Sequence, residues 1–277
     1  IQKTLSDIHK ALEDYEHEII VVNDGSTDNS SEKLKECNIK NFSLINHVEN
    51  LGYGKSLYDG ILAAKYNCIA IIDGDGSYPA DKIKDLYTYY PQYDMVVGAR
   101  KGEEYKKGIF KKPARKIFKY LVEYTTGRKI PDVNSGLRLF KKDIIIKHKD
   151  SLCAGFSFTT TLTLICHLNN YFVKYVPINY LKRNGKSKVK HFRDTLRTSQ
   201  IIVEAIVSNN PIKIFLLLSV SNALFGLILE LCNYFFLKSV FISVFSSFCI
   251  ASIVPVFSLG LICSLLMKIY KSTKDFI

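Results

Sequence analysis

The sequence predicts an α/β fold, a mostly parallel sheet with helices on both faces, carrying a membrane-bound tail. Three observations predict it. Short β-rich apolar runs end abruptly in turn formers: Ile19-Ile20-Val21-Val22 before Asn23-Asp24-Gly25, and Ile69-Ala70-Ile71-Ile72 before Asp73-Gly74-Asp75. Such runs alternate with stretches of helical periodicity, the signature of βα units. Near the end of the chain, 214–237 holds Glu230 as its one charge and 240–267 holds none. Each of those stretches exceeds the roughly 20 helical residues that cross a bilayer core.

In chain order, Ile1, Leu5, Ile8, Ala11 and Leu12 mark a helix to about residue 14. Because an α/β domain is expected to open with a strand, and the chain opens here at Ile1, a first strand is expected to be missing from the sequence. The strand 18–22 meets the loop Asn23-Asp24-Gly25-Ser26-Thr27-Asp28, whose polar residues suit the cap of a helix over 30–36. Phe42-Ser43-Leu44-Ile45 is a strand, and Asn50-Leu51-Gly52-Tyr53-Gly54 turns into a helix to about Ala64. After the strand ending at Asp73, Pro79 opens a helix over about 80–89, and Met95-Val96-Val97-Gly98 is the next strand. Residues 101–112 form a charged loop and 113–124 a helix bearing Arg115, Lys116 and Lys119. A helix at 160–168, a strand at 172–181, a basic turn at 182–188 and an amphipathic helix at 191–207 follow. The expected domains are therefore 1–190, a membrane-surface helix at 191–210, and a two-helix hairpin at 211–277.

The hairpin's flanks are basic, Lys213 before it and Lys268, Lys271 and Lys274 after it, which places them and the preceding domain in the cytoplasm. A net charge of +12 over 277 residues then points to anionic lipid and phosphate ligands rather than nucleic acid. The seven cysteines form no C-x-x-C and no zinc spacing, the thiol usage of a reducing compartment. Gly54-Lys55-Ser56 and Gly185-Lys186-Ser187 end like phosphate-binding loops, but Glu49 and Tyr180 stand where the first glycine belongs. Leu57 likewise replaces the third glycine of a dinucleotide fingerprint.

The chemistry concentrates at strand ends, where open α/β sheets bind their ligands. Asp73 and Asp75 lie one residue apart at such an end, and they repel unless a cation lies between them. Hard oxygen ligands at low count suit Mg²⁺ or Mn²⁺, with diphosphate oxygens completing the shell. Asp24 follows a strand in the same way and can accept hydrogen bonds from a nucleobase; capping the next helix is its plainer role. Arg100, Arg115, Arg138, Arg183, Lys186 and Lys188 are the candidate anion binders, and 183–188 between a strand and a membrane-surface helix is the strongest cluster.

Seven motifs in order resemble the family 2 glycosyltransferases, and within them the polyprenyl-phosphate branch that includes the dolichol-phosphate mannose synthases. They are Val21-Val22-Asn23-Asp24-Gly25-Ser26-Thr27-Asp28, Asn50-x-Gly52-x-Gly54, Asp73-Gly74-Asp75, Val96-Val97-Gly98-Ala99-Arg100, Asn134-Ser135-Gly136-Leu137-Arg138, Gly155-Phe156-Ser157-Phe158 and Arg183-x-Gly185-Lys186-Ser187-Lys188. The resemblance implies a GT-A fold, a UDP- or GDP-hexose donor, a polyprenyl (undecaprenyl or dolichyl) phosphate acceptor and inversion at the anomeric carbon. It implies that Asp24, Gly25 and Ser26 meet the nucleotide, and that Asp73, Gly74, Asp75 and Arg100 hold the donor diphosphate. Metal falls to Asp73, Asp75 and Ser77, the last standing where the mannose synthases carry glutamine. Arg138 joins Asp73 and Asp75 in the catalytic set, while Arg115, Ser135, Arg183, Lys186 and Lys188 meet the acceptor phosphate. A homo-oligomer is compatible with it. A processive polysaccharide synthase and a non-catalytic nucleotide-sugar or lipid-phosphate binder are the rival readings. The first lacks support because the chain has no tryptophan for that group's Gln/Arg-x-x-Arg-Trp motif.

Overall fold

A computed structural model of the chain describes residues 1–37, 39–102, 112–149, 152, 157–182 and 191–274. The chain divides into two compact units, Ile1–Ser199 and Gln200–Ile277.

The first unit opens with α1 (Gln2–Ala11), which buries Leu5 and Ile8. Strand β1 (Ile19–Asp24), α2 (Ser30–Lys35), β2 (Phe42–His47) and α3 (Tyr53–Ala63) follow. β1 and β2 pair in parallel as a two-stranded sheet, with Asp24 opposite His47. Next come β3 (Cys68–Ile71), α4 (Lys82–Tyr87), β4 (Met95–Lys101), α5 (Lys112–Thr126), β5 (Arg138–Lys141), α6 (Lys142–Lys147), α7 (Phe158–Leu168) and β6 (Val173–Asn179). These four strands form a second sheet in the order β3-β5-β4-β6.

The second sheet is mixed where the apolar pattern predicts parallel strands. β5 runs antiparallel to both β3 and β4, while β4 and β6 are parallel. The reason lies in where the chain comes from. The turn before β5 sits at the carboxyl end of β4, where Ser135 Oγ donates to the Gly98 carbonyl at 2.5 Å. A strand that starts from that edge runs back along the sheet. Two apolar cores flank it. Leu86, Val96, Leu137 and Leu139 belong to one, and Met95, Val97, Phe140 and Phe158 to the other. Alternate residues of β4 and β5 thus feed opposite faces, as the period of two requires.

The division between the units falls within α8 (His191–Asn209). In the second unit, α9 (Pro211–Cys232) begins with proline at its first turn and continues as a π-helical turn, Asn233–Leu237. α10 (Val240–Ala251) and α11 (Ile253–Lys274) return. The two apolar stretches, Pro211–Leu237 and Val240–Ile269, are 27 and 30 residues long, enough to cross a bilayer. The second is broken at Ser252, which the hydropathy pattern does not reveal. Pro255 cannot donate to the carbonyl of Ala251 and its ring crowds it, so the helix restarts with Pro255 in its first turn.

The hairpin is sewn by small and polar residues of α9 and its π-helical turn, repeating every three or four positions. Ser219 Oγ donates to the Ile253 carbonyl, and Asn222 Nδ2 to Ser252 Oγ. Gly226 packs against Cys249 and Ile250, and Asn233 Oδ1 accepts the Ser239 N–H at 2.7 Å. The Glu230 carboxylate accepts hydroxyls from Ser246 at 2.7 Å and Ser243 at 3.3 Å. This is how a carboxylate is carried within an apolar helix pair: it faces the partner helix and is hydrogen-bonded there.

Candidate active site

Backbone geometry fixes the first loop. Asn23 Oδ1 accepts the Ser26 N–H, and Asn23 Nδ2 donates to Ser31 Oγ and Asn46 Oδ1. The chain turns at Gly25 with φ +59°, where a Cβ would lie 2.7 Å from the Glu49 carbonyl carbon. Only glycine fits there.

Asp24 ends β1 and is a receiver of donors. Its Oδ1 accepts from His47 Nδ1 at 2.8 Å and from the Leu51 N–H at 2.8 Å, and its Oδ2 from the Gly52 N–H at 2.9 Å. Burial raises the Asp24 pKa, but the bonds from His47, Leu51 and Gly52 outweigh that and hold it below the ordinary carboxylate range. His47 extends the array, its Nε2 lying 3.1 Å from Asp59 Oδ2, and Asp59 Oδ1 accepts from Lys55 Nζ at 2.6 Å.

The residue after Gly52 reaches the second acidic strand end. The Tyr53 hydroxyl donates to Asp73 Oδ1 at 3.1 Å. Residues 51–53 therefore clasp both acidic positions, Asp24 by two backbone N–H groups and Asp73 by a phenol. Burial and the Asp73 carboxylate push the Tyr53 pKa well above its ordinary value, so its proton stays in place to donate. Asp75 is held separately, its Oδ1 accepting the Ser77 N–H at 3.0 Å and the Ser77 hydroxyl at 2.5 Å.

The turn before β5 closes over Asp73. A Cβ on Gly136 would lie 2.5 Å from Asp73 Oδ2 and 2.7 Å from Oδ1. The Gly136 N–H donates to the Tyr78 hydroxyl oxygen at 2.6 Å, and burial raises the Tyr78 pKa to about 12. The turn itself is fastened by two cations. Arg100 grips Asp132 in a fork, Nε to Oδ2 at 2.8 Å and Nη2 to Oδ1 at 2.9 Å, and its own N–H adds a third bond at 3.0 Å. Arg138 is fully buried, with Nε on the Ser135 carbonyl at 2.7 Å, Nη1 on Thr163 Oγ1 at 2.8 Å and Nη2 on the Val133 carbonyl at 2.5 Å. Burial lowers its pKa.

Several sequence expectations are redirected by this geometry. The Arg138 guanidinium is turned inward onto the turn's own carbonyls and Thr163. Ser135, equally buried, donates its hydroxyl to the Gly98 carbonyl. Ser77 is fully buried and its hydroxyl is donated to Asp75. Arg100 binds Asp132 in the same bidentate way that it was expected to grip a diphosphate. Gly74 lies beside Ile1 and its carbonyl accepts from Thr4 Oγ1 at 3.4 Å. Arg115 lies in the first turn of α5, and Arg183, Lys186 and Lys188 lie outside the described residues. Tyr53, Tyr78 and Asp132 have no motif in the sequence to mark them, and their contacts with Asp73, Gly136 and Arg100 emerge only in the fold.

Among the described residues no third His, Cys, Asp or Glu joins the two carboxylates into a metal-binding group. Two hard carboxylates one residue apart fit a divalent cation that keeps ligand positions open for phosphate oxygens. The absent Cβ of Gly136, which would fill the space against Asp73, fits the same use.

Acidic residues at the carboxyl ends of β1 and β3 are gathered beside a glycine-bearing loop on a GT-A-like α/β fold. The chain belongs to glycosyltransferase family 2: residues 1–149 match the family described as "Glycosyl transferase family 2". It is 27% identical over 179 residues to undecaprenyl-phosphate 4-deoxy-4-formamido-L-arabinose transferase of Proteus mirabilis (strain HI4320), covering 64% of this chain and 50% of that protein. The chain thus spans about half the length of that relative. Among solved structures it is similar to glucosyl-3-phosphoglycerate synthase from Mycobacterium tuberculosis in complex with Mn²⁺, UDP and phosphoglyceric acid. The TM-score is 0.59 at 14% identity, covering 74% of this chain and 73% of that one. The same synthase with Mn²⁺, UDP-glucose and phosphoglyceric acid gives 0.58 at 13%, covering 74% and 75%.

Proposed function

We propose that the protein transfers a hexose from a UDP- or GDP-sugar to a polyprenyl phosphate, with inversion, at a membrane surface. The observation that carries this is the clasp of Asp24 and Asp73 by residues 51–53, in a family 2 chain whose second unit has two helices long enough to span a bilayer. The Proteus mirabilis relative supports the acceptor, since its name states transfer to undecaprenyl phosphate. The Mn²⁺–UDP complexes of the structural neighbour support a divalent metal and a nucleotide donor.

In this reading a carboxylate's roughly four acceptor positions leave Asp24 room beyond its three internal bonds for a nucleobase N–H. Asp73 and Asp75 hold the metal, Mg²⁺ or Mn²⁺, which when bound neutralises charge on the departing nucleoside diphosphate. Tyr53 and Ser77 keep the two carboxylates aimed. Arg100 and Arg138 act on the transfer indirectly, by fixing the turn over Asp73. A lipid phosphate with second pKa about 6 is mostly dianionic at neutral pH, so it attacks the anomeric carbon without a general base. Arg115, Arg183, Lys186 and Lys188 hold that phosphate in line, a role supported for the last three by their place in the family pattern and for Arg115 by its charge in the first turn of α5. The domain layout, 1–190 catalytic, 191–210 at the surface and 211–277 spanning, follows, with the catalytic domain cytoplasmic as the lysine flanks direct.

The test is transfer of label from UDP-glucose, UDP-N-acetylglucosamine or GDP-mannose to undecaprenyl or dolichyl phosphate, with and without Mn²⁺. Metal-dependent label in the lipid phase from one donor is expected, and Asp75→Ala should abolish it while circular dichroism stays unchanged. No label from any donor with the fold intact would sink the reading.

A further inference from the structure

We infer that His47 is a specificity residue of the donor site: it closes one oxygen of Asp24, and the acceptor position that remains selects a UDP-sugar over a GDP-sugar. The imidazole stands at the end of β2, opposite Asp24 in the register of the two strands, with 8% of its side chain exposed. Carboxylates hold it from both sides. Nδ1 meets Asp24 Oδ1 at 2.8 Å, and Nε2 lies 3.1 Å from Asp59 Oδ2. An ionised carboxylate only accepts, so Nδ1 carries the hydrogen and donates the bond to Asp24. Asp59 is itself pinned by Lys55 Nζ at 2.6 Å, one turn earlier in α3. Rotating the ring away from Asp24 would break both contacts.

The number of open acceptor positions sets the selectivity. A carboxylate oxygen offers about two. Among the described residues, Oδ1 is filled by His47 Nδ1 and the Leu51 N–H, whereas Oδ2 holds the Gly52 N–H alone. The position left is on Oδ2, and the side chain, 18% exposed, is open to a ligand. Uracil presents a single N–H, at N3, between two carbonyl oxygens. Guanine presents two adjacent donors, N1–H and the N2 amino group, which together need both oxygens of a carboxylate. With Oδ1 closed, guanine leaves one donor without a partner, a loss of about tenfold or more in affinity. The inference rests on the reading that Asp24 receives the nucleobase, and it decides between the two donors which that reading leaves open.

The test is calorimetric titration of UDP and of GDP, with Mn²⁺, into the whole chain in detergent. UDP should bind at least about tenfold more tightly than GDP. His47→Leu removes the donor to Oδ1 and frees a second acceptor beside the first, so GDP should gain on UDP by at least about fivefold. His47→Asn, whose amide nitrogen can stand where Nδ1 does, should keep the preference of the parent chain. Asp59→Ala, which lets the ring swing away, should narrow the ratio in the same direction as His47→Leu and stands in for it if that variant fails to fold. A His47 with only a structural part would weaken both nucleotides together; an unchanged ratio in the folded variant therefore overturns the inference. Equal affinity for UDP and GDP in the parent chain overturns it as well. Binding of neither nucleotide would overturn the donor-site reading itself, and the inference with it.

Discussion

Tyr53 is one atom away from being an ordinary core phenylalanine. Its hydroxyl is the bond that aims Asp73, and a hydrogen bond to a charged group contributes about 1.5–3 kcal/mol. Tyr53→Phe should therefore lower kcat/KM by roughly ten- to a hundredfold and raise the half-saturating Mn²⁺ concentration, while the melting temperature falls by several degrees at most and the fold is retained. Steady-state kinetics across a metal titration checks it; an unchanged metal requirement would refute the role. Gly136 is constrained more tightly still. A Cβ there would meet the Asp73 carboxylate at 2.5–2.7 Å, so Gly136→Ala must push the carboxylate aside. A displacement near 1 Å costs on the order of a hundredfold in rate, which a transfer assay beside a thermal melt separates from misfolding. At this scale the sequence revealed the acids but not their keepers. Asp24, Asp73 and Asp75 stand out because carboxylates after apolar strands are conspicuous, whereas a tyrosine's hydroxyl or a glycine's missing Cβ gains meaning only when chain segments meet.

Elements were legible where they are periodic. β1 to β4, α3, α5, α7 and both apolar stretches stand close to their expected places. β5 went unassigned because its four residues, Arg138–Lys141, include two cations that read as loop, although Arg138 is the most deeply used side chain of the turn. Three paired carboxylates, one of them Asp132 in that turn, set an acid limit. Asp24, Asp94 and Asp132 are all held below the ordinary carboxylate value, in each case because hydrogen bonds and basic partners outweigh burial. A lowered folded pKa adds stability that is complete well above the unfolded value of about 3.9 and is lost as pH falls through the folded ones. Urea midpoints should accordingly stay level from about pH 7 to 5 and decline steeply below about pH 4. In the hairpin, a Cβ on Gly260 would lie 2.6 Å from the Phe215 Cβ, a contact that no rotamer relieves. Gly260→Ala should separate α9 from α11 and reduce stability in detergent by about 1–3 kcal/mol, read as a lower aggregation temperature.

For the whole molecule, the sequence predicts three parts, 1–190, 191–210 and 211–277, and the structure divides the chain into two at Ser199, within the helix expected to lie on the membrane. What pattern alone could not convey is the order of the second sheet. The hydropathy of β4 and β6 is the same whether β5 runs with them or against them; the direction is decided by the edge at which the preceding turn lies.

That reversal has a consequence for synthesis. β5 slots between β3 and β4, so Cys68 finds its partner only when Lys141 has been made. Asp73 and Gly136 are likewise separated by about sixty residues of chain. At about 5–20 residues per second, the β3 edge that β5 will cover stays open for several seconds on a translating ribosome. A nascent chain at that stage carries an unpaired apolar edge and an acidic strand end with no turn above it. The turn over Asp73 is therefore a late product of vectorial folding, and the early chain is the form that a ribosome-bound chaperone would have to shield.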